Sequence, residues 1–127
     1  MIIYCCACKA DIDAVLTTGT EIYPKRGDLA LIPFWKCLHC SNFVGCHHKT
    51  AQSTAPLGCI PTPEIRKLRR EIHSVIDPLW KSKQYTRNEI YSELSSVFGK
   101  SYHTGEIRTV EQAIKILKRL HKLKEAK

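Results

Sequence analysis

Apolar positions fall into short runs in the first half of the chain and recur at helical spacing in the second. Ala14-Val15-Leu16-Thr17 and Glu21-Ile22-Tyr23 read as two strands around a Thr18-Gly19-Thr20 turn. Pro24 to Asp28 reads as a loop, Leu29 to Trp35 as a third strand with Pro33 at an edge or bulge, and Phe43-Val44-Gly45 as a fourth. Residues 49–61, with small and polar side chains and two prolines, predict a connecting loop. Three helices follow. Thr62-Pro63-Glu64 starts the first, Ile65, Leu68, Ile72, Val75 and Ile76 give its apolar face, and Pro78 is expected to end it. Thr86-Arg87-Asn88-Glu89 is a capping box for the second, with Ile90, Leu94, Val97 and Phe98 inward and Gly99 as its stop. Thr109 to Gln112 caps the third, with Val110, Ala113, Ile114, Leu117 and Leu120 on its apolar face and fraying expected over residues 122–127. The expected class is α+β: short antiparallel strands over residues 1–60, then a helical part over 61–127 packed with them as one compact unit.

Strands this short and few do not make a stable sheet unaided, so a staple is required. Seven cysteines, all in the first half, can supply it. The count is odd, and no basic region precedes an apolar stretch at the start, so an intracellular, reducing setting is expected rather than a disulfide framework. Cys5-Cys6-Ala7-Cys8 and Cys37-Leu38-His39-Cys40 each contain a C-x-x-C pair. Two such pairs, each pointing two thiolates at one tetrahedral ion, are the pattern of a zinc ribbon. Cys5, Cys8, Cys37 and Cys40 are the expected ligands of one structural zinc. Iron is the alternative ion, and Cys6 the alternative to Cys5. Cys6, Cys46 and Cys59 otherwise read as small buried residues, with a second site from Cys46, His47 and Cys59 left open.

Composition is that of a globular protein, with 43% apolar and 25% charged residues in 127. No apolar run approaches the roughly 18 residues of a membrane span. Net charge is +8, unevenly placed. Residues 1–63 hold five basic and four acidic side chains, a balance of +1; residues 64–127 hold fifteen and eight, a balance of +7. One-sided basic charge is a footprint for an anionic partner.

One ordered string of residues adds to this. It comprises Ile22 to Arg26, Asp28-Leu29, Phe34 to His47, Pro56-Leu57-Gly58, His73, Asp77 to Lys81, Thr86-Arg87 with Tyr91, and His103-Thr104-Gly105. The string resembles the phage- and prophage-borne zinc-finger-containing domain family over residues 4–117. The most specific blocks are Phe34 to His47 and Asp77 to Lys81. Tyr102-His103-Thr104-Gly105 stands where that family usually carries Cys-His-Ile-Gly. The resemblance implies zinc, a mobile-element origin and hence a host-cell cytosolic location; it implies no mechanism.

For nucleic acid, the candidates are Arg66, Arg69, Arg70 and His73, read as one basic stripe on the first long helix, with Trp35 and Lys36 beside the second knuckle. A solvated helix face accounts equally for the stripe, and core packing for the aromatics. Lys115, Lys118, Arg119 and Lys122 form the polar side of the last helix, and Trp80 reads as an anchor between helices. His47, His73, His103 and Asp77 are the only set that evokes acid–base chemistry, and nothing in the spacing joins them. No phosphate-cradling glycine loop is present, so no enzyme is expected. The expected function is nucleic-acid binding through a basic helical surface. The alternative is a protein-interaction module that modulates a host polymerase, nuclease or defence effector.

Overall fold

The computed structural model describes residues 1–126. The chain is α+β and divides into two compact units, Met1–Pro63 and Glu64–Lys127.

In the first unit, β1 (Ile2–Cys5) and β2 (Ala10–Asp13) form an antiparallel hairpin with Ile2 opposite Asp13 and Cys5 opposite Ala10. A second, three-stranded antiparallel sheet has the order β3 (Val15–Thr18), β4 (Pro33–Lys36), β5 (Phe43–Gly45). Pairing of Thr18 with Pro33 and of Val15 with Lys36 sets one register; pairing of Trp35 with Val44 sets the other. Alternation along β4 then sorts the side chains. Trp35 and Val44 join a core of Ile3, Cys5, Ala14, Cys37 and Ile60, with Ile12, Cys8 and Cys40 packed on it. On the opposite face, the rings of Phe34, Phe43 and Tyr23 meet edge to face at centroid distances of 5.5–5.8 Å.

Two expectations change here. Glu21 to Tyr23 is not a strand: Gly19–Ile22 forms a short helix, α1, and β3 pairs with β4 instead. The helical turn delivers Tyr23 to the two phenylalanines, which a straight hairpin cannot do. Gly19 permits it, because a Cβ there would collide with the Leu29 carbonyl. The run from Leu29 to Trp35 becomes a strand only at Pro33; Gly27–Leu29 is a single 3₁₀ turn, and Leu31 is 92% exposed. The strand starts at a proline because the first position of a strand tolerates a missing donor. Beyond β5, the chain doubles back. His47 N–H donates to Ala55 O, Leu57 N–H to Gly45 O, and Ile60 bridges to Cys5 in parallel.

The second unit holds α2 (Pro63–Lys81), α3 (Arg87–Phe98) and α4 (Val110–Glu125). Pro78 does not end α2 but lies inside it. Its ring and Ser74 are both exposed, so the carbonyl that loses its partner faces water, and the extra turn buries Leu79. The helix stops at Lys83, whose left-handed φ of 64° and N–H bond to Trp80 O close it. α3 starts with both bonds of the expected capping box and ends at Gly99, φ 83°. In α4, Thr109 accepts from Gln112 N–H as expected, while Ile116 is buried and Ile114, placed inward by the sequence pattern, is 40% exposed.

Gly19→Ala is expected to destabilise the first unit by about 2 kcal/mol, as overpacking against fixed backbone does. Denaturant titration followed by Trp35 fluorescence checks it; an unchanged midpoint refutes the collision.

Candidate metal centre

Each C-x-x-C pair occupies the turn between two antiparallel strands, and the two turns are built alike. In the first, Lys9 N–H donates to Cys5 O at 2.8 Å; in the second, Ser41 N–H donates to Cys37 O at 2.9 Å. The residue after each second cysteine is left-handed, Lys9 at φ 56° and Ser41 at φ 64°. That reversal turns the chain back into the next strand and leaves both thiols of each pair on its inner side. The core thus receives four sulfurs, all within 4.8 Å of one another.

The donor set fits a tetrahedral ion. Metal–sulfur bonds of about 2.3 Å place neighbouring sulfurs about 3.8 Å apart. Across the two knuckles, Cys5 Sγ lies 3.5 Å from Cys40 Sγ, and Cys8 Sγ 3.8 Å from Cys37 Sγ. Cys5 and Cys37 are buried, Cys8 and Cys40 half-buried. Four thiolates would close the coordination shell of a bound ion and leave no position for substrate or water, as in structural rather than catalytic sites. Asn42 Nδ2–H donates to Cys40 Sγ at 3.2 Å and orients that ligand from outside.

The thiols are not equivalent. Burial pushes Cys5 up, and burial together with hydrogen bonds to Cys37 and Cys5 pushes Cys8 to about 12. Burial also acts on Cys37, but N–H donors of Cys40 and His39 outweigh it and hold that thiol below its ordinary value. A divalent cation removes the crowding by replacing the protons.

Of the other predicted site residues, some stay exposed and some are drawn inward. Arg70 and His73 are exposed on α2, and Arg66 is half-buried beside them. Arg69 departs from that stripe. It lies on the buried face with Ile65, Ile72 and Ile76, is 9% exposed, and donates from Nη2 to Ile107 O at 2.7 Å. Arg69 is four residues after Ile65 and three before Ile72, the spacing that puts all three on one face of the helix. Trp35 is half-buried and donates from Nε1 to Thr54 O at 2.7 Å; Lys36 Nζ lies 3.6 Å from Glu21 Oε2. Trp80 is half-buried on α2, with the Arg87 guanidinium 5.2 Å and Lys81 Nζ 5.7 Å from its ring. Lys115, Lys118 and Lys122 are exposed on α4, where with Arg119 and Val97 they line a shallow depression.

Among the described residues, the four cysteines are the only group of three or more Cys, His, Asp or Glu donors able to hold one ion. Cys46, His47 and Cys59 do not converge on a second. Cys59 instead faces Cys6, which is not a ligand, and no signal in the spacing announced that pairing.

The fold and site therefore define a class of domain in which a cluster of four cysteines, able to hold one metal ion, joins short antiparallel strands. The chain belongs to the zinc-finger-containing domain family, whose pattern matches residues 1–124. No match was found among curated proteins or among solved structures. No helix among the described residues is long and apolar enough to cross a membrane.

Metal binding is expected to release roughly three to four protons per ion at neutral pH, since most of these thiols are protonated without it. Affinity therefore falls as pH falls, and titration calorimetry in buffers of different ionisation enthalpy measures the count. Asn42→Ala is expected to weaken binding by about tenfold. Competition with a chelator checks this, and unchanged affinity removes Asn42 from the site.

Proposed function

We propose that the chain is a zinc-stabilised nucleic-acid-binding protein of mobile-element type, acting in the host cytosol, with no catalytic role of its own. One observation carries the reading: the second half, whose charge balance is +7, presents rows of exposed basic side chains on its helix faces. Arg70, His73 and the neighbouring Lys67 lie along α2; Lys115, Lys118 and Lys122 lie along α4. Phosphate contact needs solvent-facing cations in rows, and these supply them. Zinc, rather than iron, is the proposed ion, on the family's description and the closed thiolate shell. It holds the first unit and takes no part in binding chemistry.

Arg69 is left out of the surface. A charge reversal there puts a carboxylate against the Ile107 carbonyl and reports on stability instead of binding.

A second reading has its own support. Seven of the eight large apolar side chains that stand exposed belong to the first unit, led by Leu31, Ile2 and Leu38 at 92, 66 and 64%. Such side chains suit a protein partner, as in a module that modulates a host complex.

Elemental analysis is expected to find one zinc per chain. A gel shift is expected to show binding that weakens steeply between about 50 and 200 mM salt. Lys67→Glu with Arg70→Glu, and separately Lys115→Glu with Lys118→Glu, tests the two faces. At least one pair is expected to cost about tenfold or more and to flatten the salt dependence. If neither pair changes binding to any DNA or RNA, or no binding occurs at low salt, the reading fails. Partners then retained from a nuclease-treated host lysate favour the protein-interaction module.

A further inference from the structure

The metal cluster uses four of the seven cysteines, and two of the remaining three face each other. Cys6 Sγ lies 3.8 Å from Cys59 Sγ, with the residues 6% and 4% exposed. The backbone fixes this approach. Cys6 N–H donates to Ile60 O and Ile60 N–H to Tyr4 O, both at 2.8 Å, and Cys5 bridges Ile60 in parallel. The segment around Cys59 thus runs beside the end of β1 through one isolated parallel bridge, with the two thiols set across the seam. Cys6 sits inside the first knuckle, yet its sulfur belongs to this pair.

We infer that Cys6 and Cys59 are a redox modification site, forming a reversible disulfide under peroxide that locks the Cys59–Pro61 segment to the first knuckle without drawing on a zinc ligand. Closing the bond from 3.8 Å to about 2.05 Å needs a sulfur movement under about 2 Å, within reach of side-chain rotation. The reaction runs in two steps. The Cys6 sulfur attacks one oxygen of hydrogen peroxide; the O–O bond breaks, the departing hydroxide takes the thiol proton, and sulfenic acid and water result. The Cys59 sulfur then attacks the Cys6 sulfur; the S–O bond breaks, and the hydroxide leaves with the Cys59 proton as a second water. Two thiols are oxidised and one peroxide is reduced. A small thiol such as glutathione reverses it by exchange.

The consequence is topological. The new bond joins residues 53 apart, and the closed loop holds Cys8, Cys37 and Cys40. The chain restriction that the metal supplies is then partly supplied by sulfur, so the oxidised first unit tolerates loss of its ion better than the reduced one.

The test uses the full-length, zinc-loaded protein and hydrogen peroxide at about one equivalent, followed by alkylation, digestion and mass spectrometry. The expected product is a Cys6–Cys59 cross-link lighter by two hydrogens, with zinc content unchanged. Cys6→Ser and Cys59→Ser are each expected to abolish the link while keeping the zinc. If either fails to fold, the cross-link and zinc content of the unmutated protein decide alone. After chelation, the oxidised form is expected to melt on the order of 10 °C above the reduced form. The inference is overturned if peroxide ejects zinc and joins Cys5, Cys8, Cys37 or Cys40, if Cys6 and Cys59 remain alkylatable, or if the linked form melts with the reduced one.

Discussion

Convergence of four thiols from two points of the chain is the constraint on which the first unit rests. Cys8 and Cys37 are 29 residues apart and their sulfurs 3.8 Å apart. The strands that carry them are three or four residues long, and a pair of sheets of that size buries too little to fold on hydrophobic area alone. Ile3, Ala14, Val44 and Ile60 surround the cysteines but do not make a large core. The sulfurs therefore belong to the core and to the staple at once. Burial, with hydrogen bonds among the clustered thiols, pushes Cys8 to about 12 and is the electrostatic counterpart of the same arrangement.

The second unit is held differently. Its buried face is aliphatic, from Ile72, Ile76 and Leu79 through Ile90 and Leu94 to Ile116 and Leu120. Three polar side chains that reach it make hydrogen bonds there. Arg69 serves Ile107 O, Tyr102 shares a hydrogen bond with Thr104, and Tyr85 donates to Leu123 O. Most other basic side chains among the described residues stand exposed, which leaves this unit strongly positive. Fold and charge are thus separable: one unit concentrates sulfur, the other concentrates cations.

The four-cysteine cluster and the helix caps were legible in the sequence because both are written in local spacing. Two C-x-x-C pairs, Thr86 with Glu89, and Gly99 each specify geometry within a few residues. What escaped depended on distant neighbours. Gly19 reads as a turn residue until Leu29 packs against it, and Tyr23 reads as strand until Phe34 and Phe43 draw it over the sheet. Pro78 reads as a stop because the pattern does not say that Ser74 faces water. Arg69 reads as surface because its charge outweighs its position among isoleucines, and only the carbonyl of Ile107, 38 residues away, makes burial tolerable. The strands β1 and β2 were hidden by the cysteine-rich stretch between them, and the approach of Cys6 to Cys59 by 53 residues of intervening chain.

The matched knuckles have a consequence for order of assembly. Each turn is local, but neither supplies a four-sulfur shell by itself with two sulfurs. The first pair emerges from synthesis well before Cys37 and Cys40 and remains an incomplete chelate until they follow. The helices after Pro63 carry their own caps and apolar faces and no cysteine. A shortage of metal therefore bears unevenly on one chain: all four donors lie in the sulfur-rich unit, and the positively charged helices hold none to leave empty.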